Sequence, residues 1–145
     1  EAPGAEEDRS GLPFVGRAGQ LLNAMISALG LERDQTYIAN VLKCRPPNNR
    51  DPLGDEVLCC ESYLHRQIEL LEPRLIIALG RFAAQSLLKS TLPIGKLRGM
   101  QHVYEPFGIP LVATYHPAYL LRSPLEKRKV WIDLRLAKTV LSARG

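Results

Sequence analysis

Leu75-Ile76-Ile77-Ala78-Leu79-Gly80-Arg81 is the stretch whose reading decides the fold. An unbroken apolar run closed by glycine is what a strand buried on both faces of a parallel sheet looks like, since neither face meets water. Gly80 then turns the chain into a segment from Arg81 to Leu88. Working upstream, Val57, Leu58, Leu64, Ile68 and Leu71 fall at helical spacing, so a helix is expected from Asp55 to Leu71. Asp55 and Glu56 suit its positive N-terminus, and Pro73 closes it. Before it, Arg45-Pro46-Pro47-Asn48-Asn49-Arg50-Asp51-Pro52 is a polar loop, because its prolines remove donors and fix φ. That loop leaves a short strand expected over Thr36 to Val41. The stripe Leu21, Leu22, Met25, Ile26 and Leu29, stopped by Gly30, predicts an amphipathic helix.

Downstream, Gln101 to Glu105 and Pro110 to Thr114 read as a hairpin around Pro106-Phe107-Gly108. Leu125 to Ala143 reads as one helix with Val130, Ile132, Leu134, Leu136, Val140 and Leu141 inward and Lys127, Arg128 and Lys129 outward. Alternating helices and strands imply an α/β fold, an open three-layer α/β/α sandwich around a mostly parallel sheet. Residues 1–145 form a single domain in this reading. Glu1-Ala2-Pro3-Gly4 looks like a loop leaving a strand, so a first strand is expected upstream of residue 1 and the chain is expected to be truncated there.

Composition excludes several classes. The chain has 145 residues, 46% hydrophobic and 23% charged, which speaks against disorder, collagen-like repeats and coiled coil. No apolar run approaches a membrane span and no basic-then-apolar leader opens the chain, so a cytoplasmic location is expected. A formal charge of +4 favours polyanionic partners. The three cysteines, Cys44, Cys59 and Cys60, are an odd number with two adjacent, which argues against a disulfide framework. No GxSxG elbow, P-loop or GxGxxG fingerprint points to a small-molecule α/β enzyme.

In open α/β sheets ligands sit at strand carboxyl ends, and the unusual residues gather in such loops. These are Glu1 to Gly4 with Glu6-Glu7-Asp8, Leu12-Pro13-Phe14-Val15-Gly16, Asn40 to Arg50, and Tyr115-His116-Pro117-Ala118-Tyr119-Leu120-Leu121-Arg122. Together they resemble the type-4 uracil-DNA glycosylases of the uracil-DNA glycosylase superfamily, and the resemblance runs from Glu1 through Trp131-Ile132-Asp133-Leu134. It implies a DNA-repair enzyme that hydrolyses the N-glycosidic bond of deoxyuridine, frees uracil and leaves an abasic site. The expected partner is uracil-containing DNA, single- or double-stranded, engaged by a monomer away from any membrane. The competing reading is a uracil- or DNA-binding protein of the same fold without turnover, inactive through loss of the N-terminal segment.

The chemistry gives each residue type a reason. Flipping a nucleotide, gripping a planar base and stabilising a departing uracil anion are separate tasks. Phe14 can stack on the extruded ring or be a core phenylalanine; Asn40 offers a donor and an acceptor to the uracil edge or ends a strand as a turn residue. The resemblance makes these two the stacking and base-reading positions, puts Ala2 and Gly4 in the base pocket, and sets His116 near uracil O2. His65 and His102 are read as ordinary residues of a surface helix and a strand. Leu120 and Leu121 beside Arg122 have the composition of a DNA wedge with a phosphate contact, or else cap the last helix. Lys43, Arg45, Arg50 and Arg98 extend a phosphate track or are solvated surface. Where relatives carry a water-positioning aspartate this chain has Ala2, so that role falls to Glu1, to Glu7, or to a water held by backbone and His116. The resemblance also implies a [4Fe-4S] cluster in the intact protein, held by four cysteine ligands, of which only two, Cys44 and Cys60, are matched here. Cys59 and Cys60 differ by one residue in register, and Cys60 is favoured by its spacing to Tyr63-Leu64 and Gln67. No cofactor is required for the chemistry.

Overall fold

Ile109–Thr114 is buried at all six positions, and every other described element is arranged about it. A computed structural model describes residues 16–41, 54–105 and 107–144, with backbone only for 54–62 and 144. The strands are β1 (Ile76–Leu79), β2 (Gln101–Tyr104) and β3 (Ile109–Thr114), in sheet order β1-β3-β2. β1 pairs with β3 in parallel, from Ile76 opposite Leu111 to Leu79 opposite Thr114. β2 pairs antiparallel, from Gln101 opposite Val112 to Tyr104 opposite Ile109, and forms the expected hairpin. Gly108, at φ 68°, donates its N–H to the Tyr104 carbonyl at 3.0 Å to close the turn. Pro110 costs the sheet little, because it precedes Leu111, where the register with β1 begins.

The period-two alternation of β3 separates two cores. Leu111 and Ala113, with Ile76 and Ala78 of β1, face a cluster built with Ile68, Ala83, Ala84 and Leu97. These come from α2 (Gly54–Leu71), α3 (Arg81–Leu88) and α4 (Ile94–Leu97). Val112, with Leu75, Ile77 and Leu79, faces Met25, Leu120, Val130, Leu134 and Ala137. Those belong to α1 (Arg17–Ala28), α5 (Pro117–Arg122) and α6 (Lys127–Arg144). Helices therefore cover both faces, which is why the Leu75–Leu79 run is apolar throughout.

The helix ends follow local chemistry. α1 stops in a Schellman turn: the Gly30 N–H bonds the Ser27 carbonyl at 2.9 Å, the Leu31 N–H bonds the Ile26 carbonyl at 3.3 Å, and Gly30 takes φ 80°. α2 ends where Glu72 turns left-handed at φ 47°, one residue before Pro73.

Two expectations are corrected. Thr36 to Val41 forms no strand: it is held by side chains, Ile38 against Leu22 and Ile26, Val41 in the cluster with Ala78, and the Tyr37 hydroxyl accepting from Gln67 Nε2 at 2.8 Å, with no ladder to β1. Ile132 is 56% exposed, because the buried phase of α6 runs through Val130, Asp133, Leu134, Ala137 and Val140 and carries Ile132 outward. Leu71, the last residue of α2, is left half exposed.

Asp133 is the polar member of that buried stripe, 1% exposed. Arg98 donates to it through Nε at 3.0 Å and a terminal nitrogen at 2.9 Å, and the Thr114 hydroxyl donates at 2.6 Å. The carboxylate thus pins α6 and the end of α4 to the carboxyl end of β3. Arg98, expected on a phosphate track, is committed instead to this pair. Removing one partner of a buried pair strands the other charge. Arg98→Met is expected to lower unfolding free energy in urea by about 3–5 kcal/mol, and Arg98→Met with Asp133→Leu to recover most of that.

Candidate active site

Parallel neighbours end side by side, so β1 and β3 deliver their next residues to the same place. Beyond Leu79 lies Gly80, whose N–H donates to the Thr114 carbonyl at 2.7 Å. Two residues beyond Thr114 lies His116, and a Cβ built on Gly80 would stand 3.0 Å from the His116 Cβ. The segment carrying Asn40 shares the cores of β1: Val41 is in one cluster with Ala78, and Ile38 and Leu79 both pack on Leu22 and Ile26. The half-buried Asn40 therefore lies in an irregular segment, not at a strand end.

His116 is the N-cap of α5, with extended backbone at φ −69° and ψ 140°, followed by Pro117 at the first helical position. Its Nδ1 accepts the Ala118 N–H at 3.0 Å. A nitrogen that accepts cannot carry a proton, so the imidazole proton resides on Nε2 and that nitrogen is a donor. The His116 carbonyl accepts from the Tyr119 N–H at 3.0 Å. The rings of Tyr115 and Tyr119 meet at a tilt, with centroids 4.9 Å apart and planes 31° apart, both packed on the core.

α5 sorts the two candidate wedge leucines. Leu120 is 1% exposed and lies among Met25, Val112, Val130 and Leu134, so it anchors the helix and is not available to enter DNA. Leu121 is 37% exposed, and Arg122 beside it is exposed. Leu125, in the 3-10 turn Pro124–Glu126, is 87% exposed and went unremarked in the sequence because it reads as the start of the last helix. Lys129 lies 2.9 Å from Glu126. The hydrogen bond to Glu126, and then that carboxylate's charge, hold the ammonium above its ordinary value of 10.5.

The other histidines have structural partners: His102 Nε2 meets the Leu97 carbonyl at 2.7 Å, and His65 lies 4.8 Å from the Phe107 ring. Glu1, Ala2, Gly4, Glu7, Phe14, Cys44 and Arg50 lie outside the described residues, as do Lys43 and Arg45, and Cys60 is described only as backbone of α2. Among the described residues no group of three or more His, Cys, Asp or Glu could hold a metal ion. No described helix is long and apolar enough to cross a membrane. Sequence reasoning missed Gly80, Thr114 and Asp133 as supports of the histidine loop; the one available signal was an aspartate at an inward phase of an otherwise apolar stripe.

Known proteins share this arrangement of motifs. The family model described as the Uracil DNA glycosylase superfamily matches residues 1–135. The type-4 uracil-DNA glycosylase of Archaeoglobus fulgidus is 48% identical over 141 residues, 93% of this chain and 71% of that protein. That of Saccharolobus solfataricus is 45% identical over 151 residues, 99% of this chain and 70% of the relative. That of Thermotoga maritima is 41% identical over 148 residues, spanning 100% of this chain and 77% of its counterpart. A match that takes in the β1 and β3 ends, the Asn40 segment and the His116 loop makes this chain a member of the uracil DNA glycosylase superfamily.

Proposed function

We propose that the chain is a type-4 uracil-DNA glycosylase, hydrolysing the bond between uracil N1 and deoxyribose C1′ in single- or double-stranded DNA. The observation that carries this reading is the capping bond from the Ala118 N–H to His116 Nδ1. It leaves Nε2–H as a fixed donor beside the strand ends, the group needed where negative charge develops on uracil O2 as the base departs. The C1′–N1 bond breaks with its electron pair going to the base, and water adds to C1′ and gives up a proton. The products are uracil and a hydroxyl-bearing abasic sugar. In this reading Asn40 pairs with the uracil edge, Phe14 stacks on the ring, and Ala2 and Gly4 leave it room. The attacking water is held by Glu1, by Glu7, or by backbone together with His116.

Extruding a nucleotide leaves a gap that an apolar side chain can fill. Burial supports Leu121 and Leu125 for that role and excludes Leu120. Arg122 and Arg50 hold phosphates, a monomer serves one flipped base, and the enzyme works in the cytoplasm. Cys44 and Cys60 are proposed as two thiolate ligands of a [4Fe-4S] cluster. The chain's three cysteines fall short of the four thiolates such a cluster takes. No step of the reaction is therefore routed through it.

Assays on single variants test these assignments. On a single-stranded oligonucleotide with one deoxyuridine, His116→Ala is expected to lower kcat by about 10²–10³-fold with the fold intact by circular dichroism. In the same assay Glu1→Gln and Glu7→Gln identify the water-holding carboxylate by a fall in kcat at constant KM. Retained binding to uracil-containing DNA with no excision by the parent chain would favour the binding-only reading. Leu121→Ala is expected to slow excision from duplex about tenfold while leaving single strands within about twofold, because only the duplex has a stack to open. Leu120→Ala should instead lower stability by about 2–5 kcal/mol in a urea melt. Finally, in a protein that carries the full set of four thiolates, Cys44→Ala and Cys60→Ala should each reduce iron and acid-labile sulfide, whereas Cys59→Ala should not.

A further inference from the structure

We infer that Gly80 is a positioning residue for His116, its missing side chain being the seat on which the root of the imidazole rests. The inference builds on the proposed role of His116 and goes beyond it, since Gly80 touches neither base nor DNA in that reading.

Gly80 is buried and takes φ 92° and ψ 169°, a backbone region that L side chains hardly enter. Backbone bonds hold it there from two sides. Its N–H donates to the Thr114 carbonyl at 2.7 Å, and its carbonyl accepts from the Ala84 N–H at 3.1 Å to open α3. A Cβ added at this fixed point would meet the His116 Cβ at 3.0 Å and the His116 Cγ and backbone nitrogen at 3.7 Å. Those atoms are the root of the catalytic side chain, not a flexible end that could swing aside. The other described glycines with positive φ, Gly30, Gly99 and Gly108, have nothing within 4 Å of an added Cβ. Backbone conformation alone would thus explain glycine at those three positions, while position 80 carries a second requirement imposed by His116.

His116 cannot yield freely. Its Nδ1 is tied to Ala118, its carbonyl to Tyr119, and Pro117 follows it, so a push of a few tenths of an ångström at Cβ swings Nε2 relative to the base. Misplacement by about 1 Å costs on the order of 10²-fold in rate, so a smaller displacement is expected to cost roughly tenfold.

The test compares Gly80→Ala with Gly30→Ala and Gly99→Ala, which sit at φ 80° and 82° in open space. At a temperature where all are folded, Gly80→Ala is expected to lower kcat for deoxyuridine excision roughly tenfold at nearly constant KM, and to shift the His116 ring resonances while leaving those of His65 and His102 in place. Gly30→Ala and Gly99→Ala should keep kcat within about twofold, as changes remote from the reacting groups do. Added to His116→Ala, Gly80→Ala should cause no further loss of activity.

A stability cycle gives an independent reading. His116→Gly removes the opposing Cβ and His116→Ala keeps it, so the penalty of Gly80→Ala should shrink only in the His116→Gly background. If Gly80→Ala alone fails to fold, folding of Gly80→Ala with His116→Gly supports the inference, and failure of both overturns it. Normal turnover and unshifted His116 resonances in Gly80→Ala would also overturn it. If His116→Ala itself retained full excision, the catalytic reading of His116 would fall, and the stability cycle would still decide whether the two positions are in steric contact.

Discussion

The carboxylate of Asp133, out of reach of water, accepts from Arg98 and from the Thr114 hydroxyl and so joins the last long helix, the end of a short one and the central strand at one point. Charge in such a place is tolerated only when its hydrogen bonds are complete, which makes the arrangement all-or-none. Thr114 is held on its side chain by Asp133 and on its carbonyl by Gly80. The loop that follows starts from a residue with little freedom, and His116 is only two positions further on. Precision at the histidine is therefore inherited from a buried ion pair on one face of the sheet and a backbone bond within it.

Much of this architecture was legible from residue order. The run Leu75 to Leu79 announced a doubly covered strand, and its alternate residues do enter two different cores. Gly30 and Pro73 marked helix ends because backbone geometry leaves few alternatives. Thr36 to Val41 misled, since β-branched and aromatic residues describe a half-buried extended surface and carry no information on whether a neighbouring strand supplies a ladder. Ile132 misled for a related reason: its own hydrophobicity was taken to place it inward, whereas the buried phase of α6 runs through Val130, Asp133, Leu134, Ala137 and Val140.

The candidate site divides along similar lines. His116 was identifiable from its place after a strand and before a proline, but its tautomer depends on a bond to Ala118 that sequence cannot display. Leu120 and Leu121 are chemically identical neighbours, and only the helix phase tells the anchor from the exposed side chain. Gly80 was read as a turn, because the reason it must remain a glycine lies 36 residues away along the chain.

The capping role of His116 has an evolutionary implication. As an N-cap, position 116 supplies an acceptor that satisfies the Ala118 N–H, a service asparagine or aspartate renders at least as well. Selection for that cap alone therefore does not specify a histidine. Drift at this codon toward another capping residue would keep the Ala118 N–H satisfied and lose the imidazole proposed to face the base.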